Sequence, residues 1–251
     1  MPPTLLISDL HLSRERPALV EAFHALLAGP VREAASLYVL GDLFDVWLGD
    51  DQLRDPLAAG VAAALSASAD AGVRVYLQRG NRDFLLGERF ARAAGATLLP
   101  DAIVHSLHGT PTLLMHGDQL CTGDLKYQRF RTWWADPAHR RRFLALPWFA
   151  RRGIGAMLRN ASRRANIGKP ETIMDVSADA VVAAMREHHV ARMIHGHTHR
   201  PARHELFVDD ARCERLVLAD WYDRASYLRV GEEGIEARTY EGGSGGETRG
   251  R

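Results

Sequence analysis

The chain has 251 residues, of which 46% are hydrophobic and 25% charged, with a formal net charge of +1. A chain of that length buries roughly 70–75% of its unfolded surface and needs no disulfide or metal staple to fold; its proportions exclude a disordered or fibrous protein. The balanced charge excludes a partner recruited by the whole surface, and without a run of about 18 apolar residues no membrane-spanning helix is expected.

Met1-Pro2-Pro3-Thr4 runs directly into Leu5-Leu6-Ile7-Ser8, a predicted strand ending at Asp9. With no basic stretch ahead of a long apolar one, no signal peptide is expected. Leu19, Val20, Phe23, Leu26 and Leu27 recur at helical spacing. Leu37-Tyr38-Val39-Leu40 predicts a second strand, ending at Gly41-Asp42; Pro56 to Ala71 is alanine-rich and predicts a helix. Val73-Arg74-Val75-Tyr76-Leu77 predicts a third strand, ending at Gly80-Asn81. Strands separated by helices imply βαβ units and a largely parallel sheet. Leu113-Leu114-Met115 leads into His116 in the same way, and from Gly123 to Lys169 helices and loops are predicted. Ala180, Val181, Ala184 and Met185 mark a later helix, and Ala191-Arg192-Met193-Ile194 is the strand feeding His195. Glu205–Val208, Arg215–Leu218, Tyr227–Val230 and Ile235–Tyr240 predict short antiparallel strands. Gly242-Gly243-Ser244-Gly245-Gly246 lies in a tail, 241–251, expected to be disordered. Cys121 and Cys213 have no metal-binding spacing and read as free thiols of a reducing cytosol, with one disulfide as the alternative.

Five motifs follow these strands: Asp9-Leu10-His11, Gly41-Asp42-Leu43-Phe44-Asp45, Gly80-Asn81-Arg82-Asp83, His116-Gly117-Asp118 and His195-Gly196-His197-Thr198-His199. Singly each is weak, because Asp-x-His, Gly-Asp and Gly-Asn are ordinary turn sequences. Five in order, all past strand carboxyl ends where α/β sheets place ligands, point to an assembled metal site. Carboxylate oxygen and neutral imidazole suit Mn²⁺, Fe²⁺, Co²⁺ or Zn²⁺, and the absence of cysteine from the set argues against structural zinc. In an extended Asp9-x-His11, and likewise in His195-x-His197, both side chains share one side. The donors outnumber the needs of one ion; two ions roughly 3.5–4 Å apart with a bridging carboxylate would use them all.

In this order the motifs resemble the calcineurin-like metallophosphoesterase superfamily. The resemblance implies an αββα four-layer sandwich with a dinuclear site at the strand ends. It implies Asp9, His11, His197 and bridging Asp42 on one ion, and Asp42, Asn81, His116 and His195 on the other. Asp45 would orient the loop, and His199 would donate a hydrogen bond behind the ligands. Many members carry Gly-Asn-His in the third motif, where this chain has Arg82. A guanidinium does not titrate near neutrality and is no general acid, but it can clamp phosphate oxygens. That suits a leaving group that is itself a phosphate; a structural ion pair with Asp83 or Asp45 is the alternative role.

Residues about 121–170 read as a helical cap inserted in an α/β domain spanning 1–240. Lys126, Arg129, Arg131, Arg140, Arg141, Arg142, Arg151, Arg152, Arg159, Arg163, Arg164 and Lys169 face only Asp124 and Asp136 within it. Trp133, Trp134, Phe143, Leu144, Leu146, Trp148, Phe149, Ile154, Met157 and Leu158 are interleaved. This pattern fits a membrane-surface element or a cover over an anionic amphiphile. It also fits a nucleic-acid grip, or a helical subdomain with its own aromatic core and solvated arginines.

At full length the motifs narrow the resemblance. Gly41-Asp42-Leu43-Phe44-Asp45-Val46-Trp47-Leu48-Gly49-Asp50-Asp51, Gly80-Asn81-Arg82-Asp83-Phe84-Leu85, Asp124-x-x-Tyr127-Gln128 and His195-Gly196-His197-Thr198-His199-Arg200-Pro201 are together similar to the UDP-2,3-diacylglucosamine pyrophosphohydrolase family of lipid A synthesis. That resemblance implies hydrolysis of the pyrophosphate to UMP and 2,3-diacylglucosamine 1-phosphate, by water activated between two ions and attacking the α-phosphate. Mn²⁺ would be the usual metal. It further implies a monomer, peripheral on the cytoplasmic side of the inner membrane, with no nucleic-acid partner. Arg82, Asp42 and His195 would be catalytic; Asn81, Arg82, Asp124, Ser162, Asn166, Lys169 and His195 would contact substrate. A nucleotide or nucleic-acid phosphodiesterase of the same superfamily is the alternative.

Overall fold

Alternation along the strands decides how the layers stack. The computed structural model describes residues 1–166, 175–222, 224–240 and 248–249. In β1 (Thr4–Ile7) and β2 (Ser36–Leu40), Leu5, Ile7, Leu37 and Val39 pack beneath α1 (Pro17–Ala28) and α2 (Pro56–Asp70). Leu6, Tyr38 and Leu40 point the other way, into a second apolar layer. That layer is completed by Leu114 of β6 (Thr110–Met115), Ile194 of β7 (Arg192–His195) and Leu216 of β9 (Ala211–Val217). The opposite faces of β6 and β7, through Leu113, Met115 and Met193, pack on Val181 and Met185 of α7 (Ala178–Glu187). Helices, sheet, sheet and helix follow one another, which is the αββα sandwich.

The first sheet adds β3 (Arg74–Gln78), β4 (Ala96–Leu98) after the short α3 (Glu88–Ala93), β10 (Ala225–Gly231), β11 (Gly234–Tyr240) and β12 (Thr248–Arg249), in the order β12-β11-β10-β1-β2-β3-β4. The second adds β5 (Ala102–Leu107) and β8 (Ala202–Val208), in the order β5-β6-β7-β9-β8. Strands β1 to β4 are parallel, as the βαβ pattern requires. The two C-terminal hairpins are antiparallel within themselves but join different sheets, and β9 lies parallel to β7. Of the tail 241–251, only β12 falls within the described residues, where it edges β11.

Three helices form the cap: α4 (Leu125–Ala135), α5 (Pro137–Leu144) and α6 (Trp148–Asn166). Asp124 and Asp136 start the first two by accepting the main-chain N–H of Tyr127 at 3.2 Å and of Ala138 at 2.7 Å. Trp134 and Phe143 are buried and join the main apolar cluster, ring centroids 4.9 Å apart, with Phe84 4.8 Å from Trp134. Among the described residues no helix is long and apolar enough to cross a membrane.

Candidate metal centre

Main-chain hydrogen bonds bring the five motifs together before any side chain acts. The loop after β1 runs beside the loop after β2, with Asp9 N donating to Gly41 O at 3.2 Å and His11 N to Asp42 O at 3.0 Å. Buried Asp83 staples the second motif to the third, its carboxylate accepting N–H groups from Gly80, Asp42, Leu43 and Phe44. In the other sheet Gly196 N donates to His116 O at 2.9 Å. His197 N then crosses to Asp9 Oδ2 at 2.8 Å, tying the two sheets at the site. A side chain on Gly196 would collide with Ser8 and Asp9, and one on Gly80 with Asp42, which is why these motifs carry glycine there.

The Asp-x-His and His-x-His segments are not extended, as the sequence reading assumed. Asp9, His11, Asp42, His197 and His199 all have positive φ, between 49° and 70°. Non-glycine residues rarely adopt this left-handed region, and its clustering marks a site where the fold holds strain.

Asp42 sits at the middle. Its Oδ1 accepts Arg82 N at 2.7 Å and lies 3.8 Å from His116 Nε2, while Oδ2 lies 3.8 Å from His11 Nδ1. On one side Asp9, His11 and His199 offer ligand atoms within 4.8 Å of one another; on the other Asp9, Asp42 and His116 do the same. Asn81 Oδ1 completes that second side, 3.0 Å from His116 Nε2 and 2.8 Å from His197 Nδ1. Asp9 Oδ1 and His11 Nδ1 are buried without a hydrogen-bond partner. Buried polar atoms rarely stay unpaired, so the donor set fits divalent cations.

The charges say the same. Burial, then Asp83 and Asp9, push the Asp42 carboxyl up to about 8 although His116 opposes them. Burial pulls His116 down, but Asp42, Asp9 and Asp118 outweigh it and hold it up at about 9. Burial also opposes protonation of His199, yet Asp220 and Asp9 raise it to about 10. The carboxylates therefore demand positive charge at this point. Burial dominates for His11 and His197, both lowered to about 4, leaving neutral imidazoles suited to a metal.

The sequence expectations fall on the structure as follows. Asp9, His11, Asp42, Asn81, His116 and His197 converge. His195 does not face them: its Nδ1 meets Gly196 O at 2.8 Å and its Nε2 meets Arg215 Nη1 at 3.1 Å, so both ring nitrogens are used. His199, expected behind the ligands, stands among them. Arg82 reaches the cluster through its main chain and, among the described residues, forms no ion pair with Asp83 or Asp45. Asp45 pairs instead with Arg159 of α6 at 3.3 Å. Asp124 caps α4. Ser162 and Asn166 lie in the last turns of α6, and their side chains, like Lys169 altogether, lie outside the described residues.

The cap's basic residues are less solvated than their one-sided count suggests. Arg131 pairs with Asp118 at 2.9 Å and Asp101 at 2.8 Å, and buried Arg151 pairs with Asp51 and donates to Leu48 O at 2.6 Å. Tyr127 OH donates to Asp118 at 2.5 Å, fixing α4 against the fourth motif. Between α4 and the third motif lies an open cleft of ≈ 520 Å³ whose lining includes Asn81, Phe84, Tyr127, Phe130 and Trp134. Leu125, Trp133, Leu144, Leu146, Trp148, Phe149 and Met157 remain exposed on the cap.

A family model described as calcineurin-like phosphoesterase matches residues 2–201. The UDP-2,3-diacylglucosamine hydrolases of Escherichia fergusonii and Shigella sonnei are each 49% identical to the chain over 233 residues, covering 93% of this chain and 97% of theirs. Among solved structures, wild-type Vps29 of Entamoeba histolytica complexed with Zn²⁺ covers 98% of this chain and 97% of its own, at 14% identity and a TM-score of 0.45.

Proposed function

The chain belongs to the calcineurin-like phosphoesterase family, and from that premise we infer that it hydrolyses the pyrophosphate of UDP-2,3-diacylglucosamine, in lipid A biosynthesis. The products are UMP and 2,3-diacylglucosamine 1-phosphate. The observation that carries this reading is an Asp/His/Asn cluster whose Asn81 also lines a cleft walled by aromatic residues of α4, in a chain 49% identical to hydrolases of that substrate.

When bound, two divalent ions, Mn²⁺ foremost, supply a lowered water pKa and countercharge for phosphoryl oxygens. Asp9, His11, Asp42 and His199 would hold one; Asp42, Asn81, His116 and His197 would hold the other. This assignment departs from the sequence reading at two places: His197 takes the place first given to His195, and His199 takes the place first given to His197. The main-chain N–H of Arg82 orients the Asp42 carboxylate, and its guanidinium clamps the β-phosphate as negative charge develops. The leaving group is a phosphate and needs no general acid, which fits Arg82 at a position where relatives of other specificity carry histidine. Ser162, Asn166 and Lys169 position the glucosamine phosphate and acyl groups, with Asp124 as a further substrate contact. Apolar cap residues bury acyl chain, each CH₂ contributing about 0.8 kcal/mol. Exposed Leu144, Leu146, Phe149 and Met157 beside exposed Arg141, Arg142 and Arg152 support a monomer docked peripherally on the cytoplasmic face of the inner membrane. Pairing of Arg131, Arg151 and Arg159 with core carboxylates weighs against a nucleic-acid grip, since it spends the guanidiniums that would contact phosphates.

In-line attack at the uridine-side phosphorus predicts where solvent oxygen goes. Hydrolysis in oxygen-18 water should label UMP; label confined to the lipid phosphate would contradict the direction of attack.

A further inference from the structure

We propose that Asp220 is the positioning residue that orients the His199 ring at the metal centre. The inference rests on the reading of His199 as a ligand. Asp220 belongs to none of the five motifs; it lies between β9 and β10. Its Oδ2 sits 3.3 Å from His199 Nδ1, while the opposite nitrogen, Nε2, lies 3.3 Å from Asp9 Oδ1 and 3.5 Å from His11 Nε2. A neutral imidazole has one N–H and one lone pair, and the partner on one nitrogen decides which is which. A carboxylate on Nδ1 takes the N–H there and leaves the Nε2 lone pair facing Asp9 and His11. His116 and His195 turn Nδ1 to main-chain carbonyls, Leu40 O and Gly196 O, and need no such help. His199 stands on a loop with its side chain 40% exposed, so its rotamer is not fixed by burial.

The carboxylate is itself well held. The next residue, Trp221, is fully buried, and its N donates to Asp9 O at 3.1 Å and its Nε1 to Ser226 O at 2.8 Å. Arg16 Nη2 donates to Trp221 O at 3.0 Å and Tyr222 O at 2.7 Å. The backbone carrying Asp220 is thus tied to the backbone carrying Asp9, one residue of the cluster. An outer carboxylate so placed also strengthens the imidazole as a donor, and losing one typically costs 10–100-fold in metal affinity.

The test is Mn²⁺ titration of the metal-free full chain, followed by electron paramagnetic resonance and calorimetry, for wild type, Asp220→Asn and Asp220→Ala. The expected result is a loss of about 10–100-fold at one of two sites in Asp220→Ala, with the other site unchanged. Asp220→Asn, which keeps an acceptor oxygen, should lose less, and turnover lost at limiting Mn²⁺ should return at saturation. Wild-type affinity in Asp220→Ala would overturn the proposal. So would an equal loss at both sites, the mark of a general structural role. A wild-type chain that takes up no second ion would instead overturn the ligand reading on which the proposal stands.

Discussion

In β7 successive side chains leave opposite faces of the second sheet, and this separates His195 from His197 and His199. Met193 faces α7 and Ile194 faces the layer between the sheets, so His195 returns to the α7 side, where Arg215 meets it. His197 and His199 lie beyond the strand, in the loop that bends over Asp9. The two outer histidines should therefore fail differently. His199→Ala is expected to lose one Mn²⁺ and most turnover, with a metal-free unfolding midpoint that matches wild type above about pH 10, where the ring no longer carries a proton. His195→Ala leaves a fully buried hole and takes away the ring nitrogen that meets Arg215, and should cost roughly 2–4 kcal/mol by urea unfolding. The reverse pattern would restore His195 as a ligand. Asp9, His11, Asp42, Asn81, His116 and His197 were legible in the sequence as donors because they stand in short, ordered motifs, whereas His199 was read as standing behind them. The choice between His195 and His199 was also present, in the Met193-Ile194-His195 alternation, but the His-x-His spacing fits either pair and masks it. Asp220 left no local signal, being brought to His199 by the anchoring of Trp221 to Asp9.

At the scale of elements, α6 is clamped to the loop that follows the second motif. Arg151 is 4% exposed, donates to Leu48 O and Leu146 O, pairs with Asp51 and stacks on Trp148 with its guanidinium carbon 5.4 Å from the ring centroid. Arg159 of the same helix reaches Asp45. Arg151→Met keeps volume but leaves Asp51 and two carbonyls unpaired, which should cost about 1–3 kcal/mol. Because the clamp sets the cap's position and not the cluster, KM for long-chain substrate should rise with Mn²⁺ affinity unchanged; steady-state kinetics beside a metal titration would show it. The basic and aromatic character of this segment was plain in sequence. Its pairing was not, since Asp45, Asp51, Asp101 and Asp118 all lie upstream of the segment and only folding sets them opposite Arg159, Arg151 and Arg131. The subdomain reading expected the aromatics to form a core of their own; Trp134 and Phe143 instead join the main apolar cluster, while Phe149 and Met157 stay exposed.

For the whole molecule, the first half follows from βαβ patterning, whereas the closing of two sheets does not. The hairpins β8–β9 and β10–β11 look alike as sequence, and their partition between sheets rests on pairing with β7 and β1, distant partners without a local signature. The assembled cluster gives the molecule a pH signature. His116 and His199, held near 9 and 10 against an ordinary 6.5, contribute stability that is full below about pH 6.5 and lost as pH rises through those values. Asp42, held near 8 against 3.8, keeps its proton in the folded state up to about pH 8 while the unfolded chain loses it near 3.8, so stability falls as pH rises between those values. His11, His195 and His197 are lowered and act below this window. Metal-free Tm should therefore fall between about pH 6.5 and 8.5, and the Tm gain on adding Mn²⁺ should grow over that range because cations replace the protons. A gain that shrinks with rising pH in calorimetric scans would refute the cluster's electrostatics. The central claim, hydrolysis of a sugar-lipid pyrophosphate at a metal centre, is tested most directly by offering the purified protein with Mn²⁺ three substrates. These are UDP-2,3-diacylglucosamine in detergent micelles, single-stranded DNA and bis-p-nitrophenyl phosphate. The account predicts UMP and 2,3-diacylglucosamine 1-phosphate from the first, abolished by chelation and by Asp42→Ala; cleavage of the DNA with the sugar lipid left intact would contradict it.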